Sequence, residues 1–187
     1  NGKNKLKQVV IIGFYGERLK VGYGSKGGWL PFGPKRTVTR SDGNILYELD
    51  NQSALDLYKL YLKDQAKELP ASGLLFPLSL VDNTGKSIVN KSGIPIVRTV
   101  VGVDHDKKSM IFAGDIPEGS IIQMMQATTD NLISGAVQAS KISIMTNKNP
   151  ELVVMISCVG RKLIMGQQVE EEVEEVINQF SESNPYC

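Results

Sequence analysis

The sequence has few of the residues on which metal sites and disulfide frameworks depend. Its 187 residues include two cysteines, Cys158 and Cys187, and one histidine, His105. Two cysteines do not make a disulfide framework, and we expect a reduced, cytosolic setting. A single histidine, without CxxC or HExxH spacing, argues against a structural or catalytic zinc site. We therefore expect neither a metal nor a cofactor.

Excess charge and long apolar runs are also lacking. The formal net charge of +1 gives no electrostatic reason to expect a nucleic acid or an anionic membrane as partner. No apolar run approaches the roughly 20 residues needed to span a bilayer. The first residues, Asn1 to Asn4, contain neither an initiator methionine nor a signal-peptide core. We interpret the sequence as a fragment of a longer chain, without a nucleic-acid or membrane partner.

Hydrophobic residues make up 41% of the chain, which is enough for one good core or two small ones. Short apolar runs bounded by turn residues predict strands. The predicted strands are 8–12, 19–23, 37–40, 45–49, 73–81, 94–103, 109–113, 120–127 and 152–156. A glycine-dense loop is predicted over 22–28, and the rings of Trp29 and Phe32 are expected to hold it against a core.

Helical periodicity appears in three places. Ser53 and Asp56 have capping-box spacing before an apolar stripe that must stop by Pro70. A second helix is predicted to begin near Thr129 or Asp130, and a third to follow Gly166. Because hairpin signals outnumber strand–helix–strand units, the predicted fold class is α+β, with a mixed, mostly antiparallel sheet packed with about three helices.

The stretch 156–161 contains the residues best suited to contact a ligand. The apolar run 152–156 predicts a strand covered on both faces, and the backbone is expected to turn at Gly160 before the last helix. In sheets covered by helices, ligands bind beyond the carboxyl ends of strands. Cys158, Gly160 and Arg161 are therefore candidate ligand contacts.

Cys158 and Arg161 each admit two interpretations. Cys158 is either a reactive thiol, activated by backbone N–H groups and Arg161, or a buried packing residue. The lack of a convincing base favours packing. The Arg161 guanidinium either binds the carboxylate of a free amino acid in two hydrogen bonds, or pairs with backbone carbonyls or a glutamate of the following helix. The sequence does not decide between these two roles.

Three further polar residues were considered. Arg98 interrupts an apolar strand, so it faces either a ligand or the solvent at a sheet edge. Asp115 either binds an amine or starts a turn beside Gly114. His105 is expected at an exposed hairpin tip, without a role in proton transfer.

Several segments, in series and with matching spacing, resemble the FIST family (F-box and intracellular signal transduction). They are GWLPFGP at 28–34, NILYELD at 44–50, ALDLY at 54–58, RTVVGVD at 98–104, FAGDIPEG at 112–119 and SCVGR at 157–161. The resemblance implies that residues 1–51 are the tail of the N-terminal half. Residues 52–187 would be the C-terminal half, without the GFYSYGE-like motif that usually closes it.

What the resemblance implies is an intracellular, cytoplasmic sensory module rather than an enzyme. Such a module binds a small ligand, with an amino acid the leading suggestion, and acts on a signalling output domain or protein. The expected ligand contacts are Arg98, Asp115, Cys158, Gly160 and Arg161. Two alternatives stay open: an enzyme with a reactive Cys158, and a ligand-free interaction platform that uses the acidic helix 170–175.

Overall fold

A computed structural model describes Val9 and residues 11–91, 93–146 and 149–180. The strands are β1 (Leu30–Asp42), β2 (Ile45–Leu49), β3 (Gln52–Ser53), β4 (Leu78–Val81), β5 (Val97–Arg98), β6 (Val100–Asp104), β7 (Ser109–Phe112) and β8 (Ile121–Gln126). The α-helices are α1 (Ala54–Leu62), α2 (Thr129–Thr146), α3 (Val159–Met165) and α4 (Val169–Ile177). Short 3₁₀ helices cover Lys63–Glu68, Ala71–Leu75 and Gly166–Gln168.

The strands form a sheet in the order β5-β4-β8-β1-β2-β7-β6, with β3 paired to β2. Every pairing between these strands is antiparallel, so the predicted α+β class with a mostly antiparallel sheet is confirmed. β1 is the longest strand, and it pairs with β8 along its first half and with β2 along its second. A bulge between Phe32 and Lys35 interrupts the first of these pairings.

Two predicted hairpins are confirmed. β1 and β2 meet at a tight turn in which Gly43 adopts a positive φ of 54°, a conformation that glycine enters without steric cost. β6 and β7 pair around a turn that begins at Asp104. There the Asp104 carboxylate accepts hydrogen bonds from the N–H groups of Asp106 and Lys107 at 3.0 and 2.9 Å. Side-chain bonds of this kind stabilise turns by satisfying backbone donors.

The first predicted helix begins where its capping residues indicate. The Ser53 hydroxyl accepts a hydrogen bond from the Asp56 N–H at 3.2 Å, which satisfies one of the free donors of the first turn. α1 ends at Leu62, and a 3₁₀ helix continues towards Pro70. Tyr58 lies on the inner face of α1 and donates its hydroxyl hydrogen to the Phe76 carbonyl at 2.8 Å. Burial raises the pKa of this hydroxyl.

The buried apolar side chains form a large cluster and a small one. The large cluster lies between the sheet and α1 and includes Leu46, Leu55 and Phe112. The small one contains Leu132, Ile133 and Met165, with Trp29 packed against it. Phe32 packs against the large cluster, so the two rings expected to hold the glycine-dense loop do contact cores.

Several strand predictions are wrong, in whole or in part. Residues 19–23 form no strand, and neither do Val9, Ile11 and Ile12 of the first predicted strand, whose residues 8 and 10 lie outside the described part of the chain. Within 94–103, only Val97–Arg98 and the stretch from Val100 onward are strands. Residues 152–156 also form no strand, and Ile156 is 94% exposed. Within 73–81, only Leu78–Val81 is a strand, because the residues up to Leu75 belong to the 3₁₀ helix Ala71–Leu75. An apolar run forms a strand only where it can pair with a neighbouring strand.

None of the helices in the described part of the chain is long and apolar enough to cross a membrane.

The large cluster predicts that two leucines contribute very differently to the free energy of unfolding. Leu46 is 0% exposed in β2, whereas Leu60 on α1 is 69% exposed. We expect Leu46→Ala to lower the free energy of unfolding by about 2–5 kcal/mol, because it removes buried methyl groups and leaves a cavity. Leu60→Ala should change it by less than about 0.5 kcal/mol. Urea unfolding followed by circular dichroism tests this, and equal losses in the two variants would contradict the described core.

Candidate functional site

The five residues predicted to contact a ligand fall into two groups. Arg98 and Asp115 are in direct contact at the β5 edge of the sheet. Cys158, Gly160 and Arg161 lie together at the start of α3. No hydrogen bond or ion pair joins the two groups within the described ranges. The structure therefore presents two places to consider rather than one.

Cys158 caps α3 instead of ending a strand. Its Sγ accepts a hydrogen bond from the Arg161 N–H at 3.4 Å, and the residue is exposed. The prediction that Cys158 is buried packing is therefore wrong. The predicted turn at Gly160 is also wrong, because Gly160 is buried in the first turn of α3. A Cβ placed on Gly160 would lie 3.2 Å from the Leu74 carbonyl oxygen, so the glycine allows α3 to approach Leu74 closely.

Arg161 is 8% exposed, and protein groups occupy most of its donors. Its Nη1 donates to the Gly27 carbonyl at 2.8 Å, and its Nη2 donates to the Leu132 carbonyl at 2.7 Å. Nε donates to a carboxylate oxygen of Glu172 at 3.0 Å, and Nη2 forms an ion pair with the same oxygen. The structure favours the second interpretation, in which Arg161 pairs with carbonyls and a glutamate. Through these bonds, Arg161 links the glycine-dense loop, α2, α3 and α4.

Arg98 and Asp115 have a different environment. Arg98 lies on the edge strand β5, where Nε donates to the Asp115 carbonyl at 2.7 Å and Nη1 donates to the Val97 carbonyl at 3.3 Å. The residue Asp115 is exposed. Across the described ranges, neither side chain forms an ion pair, and Arg98 Nη2 has no acceptor. A cationic and an anionic residue are thus present in the same region, neither of them in an ion pair with a described residue.

The loop that holds Asp115 is fixed by the β1–β2 turn. Ile116 is buried, and its N–H donates to the Gly43 carbonyl at 2.9 Å. The Ser41 hydroxyl donates to the Ile116 carbonyl at 2.7 Å. Gly114 has a φ of 144°, and a Cβ there would lie 3.1 Å from Arg98 Nε. A glycine at this position therefore allows the Arg98 side chain to lie across the loop.

Sequence reasoning missed a third polar cluster, formed by Arg36 of β1, Asp50 and Tyr61 of α1. Arg36 Nη1 donates to the Asp50 carboxylate at 3.0 Å, and Nη2 donates to the Tyr61 hydroxyl at 2.6 Å. The other Asp50 oxygen accepts from the Thr37 N–H at 2.9 Å. The available signal was alternation, because Arg36 lies two residues before the buried Val38 and thus on the same face of β1.

The hydrogen bonds of this cluster shift the pKa values of both charged groups. The bonds to Tyr61 and Asp50 raise the pKa of Arg36. For Asp50, desolvation acts to raise the pKa, but the hydrogen bonds from Thr37 and Arg36 outweigh it and lower the pKa. The pair is therefore ionised at neutral pH.

Acidic and sulfur ligands are not gathered into a metal site. Within residues 11–91, 93–146 and 149–180, no three or more His, Cys, Asp or Glu side chains are grouped so that they would hold a metal ion.

Comparisons with known proteins identify the class of the chain. Residues 1–52 match the model of the FIST N domain, and residues 54–187 match that of the FIST C domain. The chain belongs to the FIST family, whose members are sensory domains of signal transduction.

A relative in Methanocaldococcus jannaschii, "Uncharacterized protein MJ1623", is 23% identical over 190 residues. The match covers 94% of this chain and 35% of the relative, so this chain spans about a third of that protein. No solved structure matches the chain.

The buried Arg161–Glu172 pair predicts a large effect of removing one partner. We expect Glu172→Ala to lower the free energy of unfolding by about 3–5 kcal/mol, because it leaves the Arg161 charge buried without its counter-ion. Glu174→Ala is the matched control, since Glu174 is exposed on the same helix, and it should change stability by less than about 0.5 kcal/mol. Urea unfolding measures both, and a small loss in Glu172→Ala would contradict the structural role of Arg161.

Proposed function

We propose that this chain is part of a sensory domain that binds a free amino acid and passes the signal to an output domain or partner protein in the cytoplasm. The observation that carries the proposal is the open Arg98–Asp115 pair. Membership of the FIST family supports the sensory role. The ligand and the site are inferred from the chemistry of the pair.

A free amino acid is a zwitterion, and Arg98 and Asp115 offer groups of the opposite signs. The carboxylate of the ligand would accept hydrogen bonds from Arg98 Nη2, which has no acceptor within the described ranges. Its ammonium group would donate to the exposed Asp115 carboxylate. Because Arg98 Nε donates to the Asp115 backbone carbonyl at 2.7 Å, the Asp115 backbone is already fixed to Arg98 before a ligand arrives. Such preorganisation lowers the entropy cost of binding.

The other three predicted contacts have smaller parts in this proposal. Cys158 is exposed and is a further candidate contact. Gly160 and Arg161 are both buried, and we assign them the task of holding α3 in place. We assign the binding role to Arg98 and the structural role to Arg161 because of their guanidinium donors. Most donors of Arg161 bond to protein groups, whereas Nη2 of Arg98 has no acceptor within the described ranges.

Calorimetric titration of the protein with the twenty standard amino acids tests the proposal. At least one should bind, and Arg98→Gln and Asp115→Asn should each weaken it about tenfold or more, because each removes one charge partner. Arg18→Gln and Asp106→Asn are matched controls on exposed residues and should leave the affinity unchanged.

The same ligand should bind more weakly when either of its charged ends is blocked. N-acetylation removes the ammonium group and amidation removes the carboxylate, so each analogue reports on one side of the pair. Absence of binding by every amino acid, or full affinity in both site variants, would contradict the proposal.

A further inference from the structure

A small cavity of about 20 Å³ runs from the surface near the β1 bulge into the large core cluster. Exposed and half-buried residues line its outer part, and buried apolar side chains line its inner part. The lining residues are Phe32, Gly33, Pro34, Arg36, Leu49, Leu57, Tyr58, Tyr61, Leu78, Met110, Ile122 and Met124. A volume of this size holds about one water molecule, and therefore one oxygen atom of a ligand.

Two hydrogen-bond donors in the lining have no acceptor among the described residues. One of them is the buried Arg36 Nε. The Tyr61 hydroxyl accepts from Arg36 Nη2 at 2.6 Å, so its own hydrogen is available, and no acceptor for it occurs in the described ranges. A buried donor without an acceptor destabilises a protein unless water or a ligand satisfies it. The two donors belong to side chains that are hydrogen-bonded to each other.

The net charge of the Arg36, Asp50 and Tyr61 cluster determines which kind of ligand oxygen can enter the cavity. Asp50 already balances Arg36 at 3.0 Å, so the cluster has no net positive charge to offer. A second carboxylate entering the cavity would lose its hydration and lie near the Asp50 carboxylate. A neutral carbonyl oxygen has two lone pairs, accepts both bonds and carries no charge into the apolar lining.

The cavity has room for the oxygen atom alone, so an apolar chain attached to that oxygen would lie at the outer part of the cavity. Pro34 and the Tyr61 ring lie at the outer part, where the bulge between Phe32 and Lys35 interrupts the pairing of β1 with β8.

We propose that this cavity is a binding site for a small neutral molecule with a carbonyl oxygen on a short apolar chain, such as a ketone, ester, lactone or amide. The oxygen accepts from Arg36 Nε and the Tyr61 hydroxyl, and the chain lies at the outer part against Pro34 and the Tyr61 ring. The site is separate from Arg98 and Asp115, and it stands whether or not an amino acid binds there.

The Arg36 Nε–H group provides a direct measurement. Because Nε is buried, its N–H should give a resolved nitrogen–proton NMR signal, assigned through its loss in Arg36→Lys. We expect 2-butanone to shift this signal with saturation in the millimolar range, given its five non-hydrogen atoms. Propionate has the same number of non-hydrogen atoms but carries a charge, and it should bind at least tenfold more weakly.

A matched control lies on the same sheet. Arg40 lies over the Tyr47 ring at 4.7 Å and pairs with Glu48 at 3.3 Å, but neither Arg40 nor Tyr47 lines the cavity. The Nε signal of Arg40 should not respond to 2-butanone. Tyr61→Phe should weaken binding of 2-butanone at least threefold by removing one donor, whereas Tyr47→Phe should not.

Three outcomes would overturn the proposal. No shift of the Arg36 Nε signal at 100-fold molar excess of 2-butanone would mean that the cavity holds water only. Equal shifts of the Arg36 and Arg40 signals would mean a nonspecific solvent effect. Tighter binding of propionate than of 2-butanone would mean that the site recognises anions instead of neutral carbonyl groups.

Discussion

The structure depends on the pairing of β1 with strands on both of its sides. β1 lies within the match to the FIST N domain, whereas β8, its partner on one side, lies within the match to the FIST C domain. β1 therefore joins the two matched segments in one sheet, and the large core cluster forms beneath it. Arg161 makes a second connection of this kind, because it binds the carbonyl of Gly27 across 134 residues of sequence. The two segments therefore share one sheet, in which β1 is the strand between β8 and β2.

Local chemistry explains which parts of the fold were predictable. The β1–β2 turn follows from Gly43, and the start of α1 follows from Ser53, because the residues that determine each feature lie within a few positions of it. The strand predicted at 152–156 failed for the opposite reason. Its apolar composition is right for a strand, but pairing requires a neighbour that the described part of the chain does not place beside it. The composition of a segment determines its tendency to form a strand, and the tertiary structure determines whether a strand forms.

The candidate sites were harder to predict because they depend on distant contacts. The sequence singled out Arg98 as a charge within an apolar strand, and the edge position of β5 is one of the two outcomes expected of it. The role of Arg161 depends on carbonyls of Gly27 and Leu132, which no local pattern connects to it. Arg36 went unnoticed because its partners Asp50 and Tyr61 lie 14 and 25 residues away. Backbone carbonyls in particular have no sequence signature, since every residue has one.

Three arginines of this protein differ in how far protein groups satisfy their hydrogen-bond donors. A guanidinium is expensive to bury, so its donors must be satisfied by protein groups wherever water is excluded. Arg161 meets this requirement with two carbonyls and Glu172, and it has little capacity left for a ligand. Arg98 lies at a sheet edge, and its Nη2 has no acceptor within the described ranges. Arg36 lies between these cases, with 28% of its side chain exposed and its Nε buried without an acceptor. An arginine that the protein leaves incompletely satisfied is the better candidate for binding, because a ligand then supplies a bond that folding did not.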